Sequence, residues 1–183
     1  MLKMCEESFE AYDVMNDIIP TNSVSKKGGL YLGNLLAAKD MESLKTKKIN
    51  YVLTLLPKMR CGDLIKNLED NGFIVKYIDA QDQSKFNLYS HFEECCKWIE
   101  KAMKNGNVLI HCLVGISRST TITIAYLMKR KKKGWKEMWE YCKKKRPYCE
   151  PNDGFKEQLA KWEKKLGIGI NNHVPPETAE PKI

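Results

Sequence analysis

The sequence contains no apolar run close to the ~18 residues that a membrane-spanning helix requires, so we predict no transmembrane segment. It also has no basic stretch followed by an apolar core near residue 1, and we expect no secretory signal. Its seven cysteines include no C-x-x-C pair and no zinc-ligand spacing. We therefore expect no metal site, no membrane partner, and reduced thiols in the cytoplasm, the nucleus or both.

The composition is that of one soluble globular domain. Of the 183 residues, 43% are hydrophobic and 30% are charged, a balance that excludes a disordered chain. The formal net charge of +8 favours anionic partners. We expect no nucleic-acid partner, because no basic motif interleaved with aromatic residues is present. The basic runs at 129–133 and 143–146 fit a bipartite nuclear localisation signal or, as we favour, the solvated ends of two helices.

Strand and helix patterns alternate through the middle of the chain, which predicts an α/β fold with a central, mostly parallel sheet flanked by helices. The first twenty residues predict a short helix with Phe9, Tyr12 and Ile19 as apolar contacts and Pro20 at its end. We assign residues 1–27 to this helix and a linker, 28–167 to one folded domain, and 168–183 to a disordered tail. Predicted strands lie at 29–33, 51–56, 73–78 and 107–110, and predicted helices at 40–48, 63–71, 88–104, 122–128, 135–145 and 153–166.

The stretch VLIHCLVGISRSTT, residues 108–121, carries the strongest chemical signal. An apolar strand enters it and an apolar helix leaves it, so the loop from Cys112 to Arg118 lies at a helix N-terminus. Backbone N–H groups there have no helical partner and the helix dipole is positive, which predicts an anion site. Gly115 permits the tight curl, and Arg118 offers a planar fork for two phosphate oxygens. The predicted phosphate-binding residues are Leu113, Val114, Gly115, Ile116, Ser117 and Arg118.

Cys112 is the predicted nucleophile of this loop. Helix N-termini and nearby cations favour the thiolate form of cysteine, which attacks phosphorus to give a cysteinyl-phosphate. Ser119 is placed to donate a hydrogen bond to the departing thiolate, or to cap the helix N-terminus. His111 is predicted to support the loop backbone through hydrogen bonds, without exchanging protons with the substrate.

The motif HCLVGISRS resembles the signature of the cysteine-dependent protein tyrosine phosphatase superfamily. SRSTTITIAYLMK, GLYLGNLLAA and PNDGFKEQL resemble segments of the dual-specificity phosphatases. The resemblance implies a protein tyrosine phosphatase-like fold, no metal and no cofactor. It also implies hydrolysis of phosphotyrosine, phosphoserine and phosphothreonine on proteins, with mitogen-activated protein kinases as candidate partners.

Cleavage of a phosphate ester also requires a proton donor for the leaving oxygen. The segment DAQDQSKFNL offers Asp79 and Asp82, and the residues alone do not separate them. The resemblance favours Asp82, because the acid of the family lies a few residues before a Phe-Asn-Leu segment. Asp79 is then predicted to hydrogen-bond loop backbone.

Two alternatives remain at this stage. One is a phosphatase for phosphoinositides, RNA 5′-ends or glycans; the other is a catalytically silent phosphate-binding module. The five inner loop residues, LVGIS, include no lysine to hold extra phosphates, and no long phosphotyrosine-recognition segment precedes the loop. Both observations favour monophosphorylated protein side chains in a shallow pocket. Cys149 and the pair Cys95–Cys96 are either protective partners for Cys112 or ordinary buried thiols, and we favour the second.

Overall fold

A five-stranded sheet forms the centre of the structure, a computed structural model that describes residues 13–22 and 27–169. The strands follow the order β1-β2-β5-β3-β4; β1 pairs antiparallel with β2, and the other three pairs are parallel. The predicted α/β class and mostly parallel sheet are therefore confirmed. The strands are β1 (Met15–Ile19), β2 (Leu30–Gly33), β3 (Ile49–Leu56), β4 (Ile74–Asp79) and β5 (Asn107–His111).

Seven α-helices surround the sheet in the described part of the chain, and most match the predicted ones. One difference is a helix at the end of GLYLGNLLAA, where the sequence predicted none, and another is that the helix predicted at 122–128 extends over 118–131. Short 3-10 turns lie at Lys58–Arg60, where none was predicted, and at Tyr89–His91, where the predicted 88–104 helix begins. No helix among the described residues is long and apolar enough to cross a bilayer. The helices are α1 (Leu35–Lys39), α2 (Met41–Thr46), α3 (Gly62–Asp70), α4 (Phe92–Ala102), α5 (Arg118–Lys131), α6 (Trp135–Lys145) and α7 (Asp153–Lys165).

Both faces of the sheet are buried, which explains the continuous apolar runs of β3 and β5. Side chains alternate along β3, so that Leu53 and Leu55 pack against one layer and Val52 and Leu56 against the other. Helices α4 to α7 cover the first face, and α1 to α3 cover the second. This double cover fixes the sheet rigidly beneath the loops at the carboxyl ends of its parallel strands.

The predicted N-terminal helix is wrong for residues 15–19, which form the edge strand β1. Pairing with β2 satisfies backbone groups that a helix would have left exposed at the sheet edge. The register shifts between Asp17 and Ile19, and this bulge removes the alternation that would have revealed a strand. Pro20 does end the element. Phe9, Tyr12 and the tail from residue 170 lie outside the described residues.

The two basic clusters lie at helix ends, as favoured from the sequence. Lys129 and Lys131 belong to the last turn of α5, and Lys143 to that of α6. Lysines there complement the negative end of the helix dipole. Arg146, the last residue of the second cluster, is fully buried. It is therefore not part of an exposed basic patch, which weakens the reading of these clusters as a bipartite signal.

Candidate active site

The loop between β5 and α5, residues 112–118 and called here the 112–118 loop, turns its carbonyl groups outward. Each carbonyl from residue 113 to 117 accepts a hydrogen bond from outside the ring. The donors are Leu35 N for Leu113 O (3.1 Å), Arg146 Nη2 for Val114 O (3.3 Å), Arg146 Nε for Gly115 O (2.9 Å), Glu150 N for Ile116 O (2.9 Å) and Thr121 N for Ser117 O (2.8 Å).

The N–H groups of the same peptides therefore point into the ring, because C=O and N–H are antiparallel across a planar trans peptide. The Gly115 N–H lies 3.3 Å from Cys112 Sγ. In the part of the chain that the structure describes, the amides of Val114, Ile116 and Ser117 donate to no protein acceptor. The loop is thus a ring of inward donors around one sulphur atom, the geometry of an anion site.

Gly115 is required by this curvature. Its φ is +75°, and a Cβ atom there would lie 2.6 Å from Arg146 Nη2 and 2.6 Å from Gly33 O. Any other residue would be strained both by its backbone conformation and by these two contacts.

Ser119 and Arg118, both buried, approach the ring from the first turn of α5. Ser119 Oγ donates to Cys112 Sγ at 3.2 Å. The helix begins at Arg118 with Ser117 as its N-cap residue, so the alternative role of Ser119 as N-cap is wrong. Arg118 Nη1 donates to Ala80 O at 3.2 Å, which ties the guanidinium to the segment after β4.

Arg118 Nε is buried and has no hydrogen-bond partner among the described residues. It lies 3.3 Å from Asp82 Oδ2, close enough for an ion pair but not aligned for a hydrogen bond. Its N–H is therefore left without a hydrogen bond, because hydrogen bonds weaken steeply as they bend. A buried, unsatisfied guanidinium N–H beside an open cleft is suited to an anionic ligand.

Asp82 faces this cleft, which has a volume of about 430 Å³. Asp82 Oδ1 accepts from Ser117 Oγ (2.8 Å) and from Asn152 Nδ2 (2.9 Å). Both donors bind Oδ1, and Oδ2 accepts no hydrogen bond from the described residues. The cleft is lined by Pro57, Arg60, Gln81, Asp82, Gln83, Leu113 and Arg118.

Asp79 points elsewhere, toward the segment that follows β3. Its Oδ1 accepts the backbone N–H of Lys58 at 3.1 Å, which is the structural bond that the sequence predicted for it. The structure thus brings Asp82 to Arg118 and leaves Asp79 in a backbone contact.

His111 lies fully buried under the loop. Its Nδ1 is 3.3 Å from Cys112 O, and its Nε2 is 2.8 Å from Thr54 Oγ1 on the adjacent strand β3. A carbonyl only accepts, so Nδ1 carries the proton and Nε2 accepts from the Thr54 hydroxyl. Burial lowers the pKa of His111 to about 4, which keeps the ring neutral in this double contact.

We expect His111 to make the protein less stable in acid. Its pKa is about 4 when folded and about 6.5 when unfolded, so the unfolded chain binds more protons between these values and stability falls as pH falls. The loss from pH 7 to pH 5 should be about 2 kcal/mol. Urea unfolding at both pH values measures it.

His111→Gln should remove most of this pH-dependent loss, with His91→Gln as the control for losing a histidine outside the site. An unchanged pH dependence in His111→Gln would contradict the assignment.

The other cysteines that the sequence singled out are buried thiols. Burial raises the pKa of Cys95 and of Cys96 to about 12, and it also raises the pKa of Cys149. Cys149 Sγ accepts from Thr120 Oγ1 at 3.5 Å. Thiols with raised pKa values react poorly, which favours the structural interpretation of all three.

Sequence reasoning missed several residues that build the site. Asn152 caps α7 through the Phe155 N–H and also orients Asp82. The segment PNDGFKEQL was noted only as a closing helix, and an asparagine at its start was the available signal. Thr54, Ala80 and Arg146 gave no local signal, because each reaches His111 or the loop from a distant part of the chain.

Comparisons with known proteins agree with this architecture. The sequence profile described as "Dual specificity phosphatase, catalytic domain" matches residues 30–165. The fold and the site define a member of the protein tyrosine phosphatase superfamily. The chain belongs to the dual specificity phosphatase family within it.

Individual relatives are identical to this chain at about a third of the aligned residues. Dual specificity protein phosphatase MPK-4 of Drosophila melanogaster is 36% identical over 173 residues, which cover 92% of this chain and 41% of that protein. MAP kinase phosphatase with leucine-rich repeats protein 3 of Dictyostelium discoideum is 37% identical over 138 residues, 75% of this chain and 16% of that protein. This chain therefore spans less than half the length of either relative.

A solved structure of similar size is the crystal structure of DUSP15. It superposes with a TM-score of 0.65 at 31% identity and covers 84% of this chain and 94% of that chain.

Proposed function

We propose that this protein hydrolyses phosphotyrosine and phosphoserine or phosphothreonine on proteins through a cysteinyl-phosphate intermediate. The observation that carries the proposal is the ring of inward N–H groups around Cys112 Sγ. Such a ring stabilises negative charge on sulphur and on a bound phosphate alike, and family membership supports the same chemistry.

The first step transfers the phosphoryl group to sulphur. Arg118 and the loop amides hold the phosphate, and Cys112 attacks phosphorus in line as its S–P bond forms. The bond from phosphorus to the ester oxygen breaks, and the leaving oxygen takes the proton from Asp82 Oδ2.

The second step releases phosphate. Water attacks phosphorus and gives a proton to the Asp82 carboxylate, while the electron pair of the S–P bond returns to Cys112. Ser119 Oγ, which donates to Cys112 Sγ at 3.2 Å, stabilises the thiolate as it departs. Asp82 is then protonated again and ready for the next substrate.

Protein side chains are the substrates that the loop favours. Its inner side chains, residues 113–117, carry no charge that would hold the additional phosphates of an inositol ring. Mitogen-activated protein kinases are candidate substrates, in line with the name of the Dictyostelium relative. We place the protein in the cytoplasm or nucleus, where a reducing environment keeps a nucleophilic thiol free.

A panel of three substrates tests the proposal. We would compare p-nitrophenyl phosphate, a kinase-loop peptide phosphorylated on threonine and tyrosine, and a phosphoinositide. We expect turnover of p-nitrophenyl phosphate and of the peptide. Mass spectrometry should show that the peptide loses both of its phosphates. Hydrolysis of the lipid alone would contradict a protein phosphatase. Phosphate binding without any turnover would support the silent module.

A further inference from the structure

A buried arginine lies on the outer side of the 112–118 loop. Arg146 follows α6 and is fully buried, like the apolar core around it. Its Nε and Nη2 donate to the carbonyls of Gly115 and Val114, at 2.9 Å and 3.3 Å. It therefore contacts two consecutive peptides of the loop from the face opposite to Cys112.

The remaining donors of Arg146 bind the N-terminal segment. Nη1 contacts Asp13 O at 2.6 Å and Asn16 Oδ1 at 2.5 Å, and the guanidinium lies 4.3 Å from the ring centre of Tyr148. All of these acceptors are neutral. Among the residues described, no carboxylate forms an ion pair with Arg146.

A buried cation without a paired anion is costly unless another group balances its charge. Burial lowers the pKa of Arg146, and the charges of Tyr148, Cys149, Cys112 and Asp13 raise it, but a guanidinium stays protonated in proteins. The negative charges that can balance it are the nearby Asp13 carboxylate and, under the proposed function, the Cys112 thiolate and a bound phosphate inside the loop.

The peptide that joins Val114 to Gly115 shows how the effect is transmitted. Its carbonyl accepts from Arg146, and its N–H donates to Cys112 Sγ at 3.3 Å. The next peptide has its carbonyl on Arg146 Nε, so the Ile116 N–H is turned inward as well. A cation at one end of each peptide dipole and an anion at the other strengthen both hydrogen bonds.

We propose that Arg146 is a positioning residue for the phosphate site. It fixes the orientation of the Gly115 and Ile116 amides and polarises them toward the anion, without touching the substrate. This inference rests on the proposed function, because it assumes that the loop binds phosphate.

The test compares Arg146→Met, which removes both the charge and the paired N–H donors, with Arg146→Lys, which keeps the charge alone. Binding of inorganic phosphate is measured by its inhibition constant and by titration of the Gly115 and Ile116 amide resonances in NMR spectra. Arg146→Met should weaken phosphate binding about 10- to 100-fold, the effect of a lost hydrogen bond to a charged group. Arg146→Lys should recover part of the loss.

Leu159→Ala is the matched control for general destabilisation, since Leu159 is a fully buried apolar core residue of α7 with no side-chain donor for the loop carbonyls. All variants are assayed at a temperature where each is folded. Leu159→Ala should then bind phosphate like the parent protein. Equal phosphate affinity and equal Gly115 and Ile116 shifts in parent and Arg146 variants would overturn the inference.

If Arg146→Met does not fold, Arg146→Lys decides, and parent-like binding in it overturns the inference. A parent protein that binds phosphate but hydrolyses no ester would refute the proposed function instead.

Discussion

Replacing Cys112 by serine should reduce turnover by about 10⁴-fold or more, because a neutral hydroxyl replaces the thiolate that attacks phosphorus. The ring of amide donors and Arg118 would remain in place. Phosphate should therefore bind to Cys112→Ser at least as tightly as to the parent, since serine brings no charge to repel the dianion. Single-turnover kinetics and the inhibition constant of phosphate measure the two effects separately.

Cys149→Ser is the control for this substitution. Cys149 is also buried, and its sulphur contacts Thr120, so serine has a polar partner there. Its turnover should stay close to that of the parent. Full turnover in Cys112→Ser would refute the cysteinyl-phosphate mechanism, and a missing phospho-enzyme after rapid acid quench of the parent would argue against it as well.

Replacing Asp82 by asparagine should cost about 10²- to 10⁴-fold in rate on alkyl phosphates, because the leaving alkoxide then receives no proton. Asparagine has nearly the same size and retains an oxygen for Ser117 and Asn152. On p-nitrophenyl phosphate the loss should be much smaller, since that phenoxide departs without protonation. The ratio of the two losses distinguishes proton donation from a general disturbance of the site.

Asp79→Asn is the matched control, because Asp79 ends strand β4, three residues before Asp82, and its Oδ1 accepts from the Lys58 backbone and not from Ser117 or Asn152. Its rate on either ester should stay close to that of the parent. The ratio of the rate on alkyl phosphates to the rate on p-nitrophenyl phosphate should therefore not change. Equal losses in Asp79→Asn and Asp82→Asn would remove the assignment of Asp82 as the acid.

The 112–118 loop and several helices could be predicted from the sequence because they depend on residues that are close together in the chain. The apolar run of β5, the glycine and the hydroxyl-rich start of α5 are neighbours in the chain, so their geometry follows from strand, loop and helix rules alone. Helix α6 was predicted with its observed ends, since its amphipathic pattern is complete within eleven residues. The sites of Cys112, Arg118 and Ser119 could be predicted for the same reason, because these residues are close neighbours in the chain.

Two features could not be predicted from neighbouring residues: the edge strand β1, and which of the two aspartates faces Arg118. β1 is a strand because its backbone pairs with β2, and its bulge interrupts the alternation of apolar and polar residues that indicates a strand. Asp79 and Asp82 lie three residues apart and have similar sequence surroundings. Only the packing of α7 brings Asn152 to Asp82, while Asp79 turns to Lys58.

The sequence by itself determined that a cysteine, a glycine and an arginine share one turn at a helix N-terminus, because covalent spacing and backbone sterics enforce that. Tertiary structure alone decided which way the peptides of that turn face. Leu35 at the start of α1, and Arg146 and Glu150 in the connection between α6 and α7, donate to the loop carbonyls, and each contact spans dozens of residues along the chain. Hydrogen bonds of that range depend on how the sheet and helices pack, which no local pattern encodes.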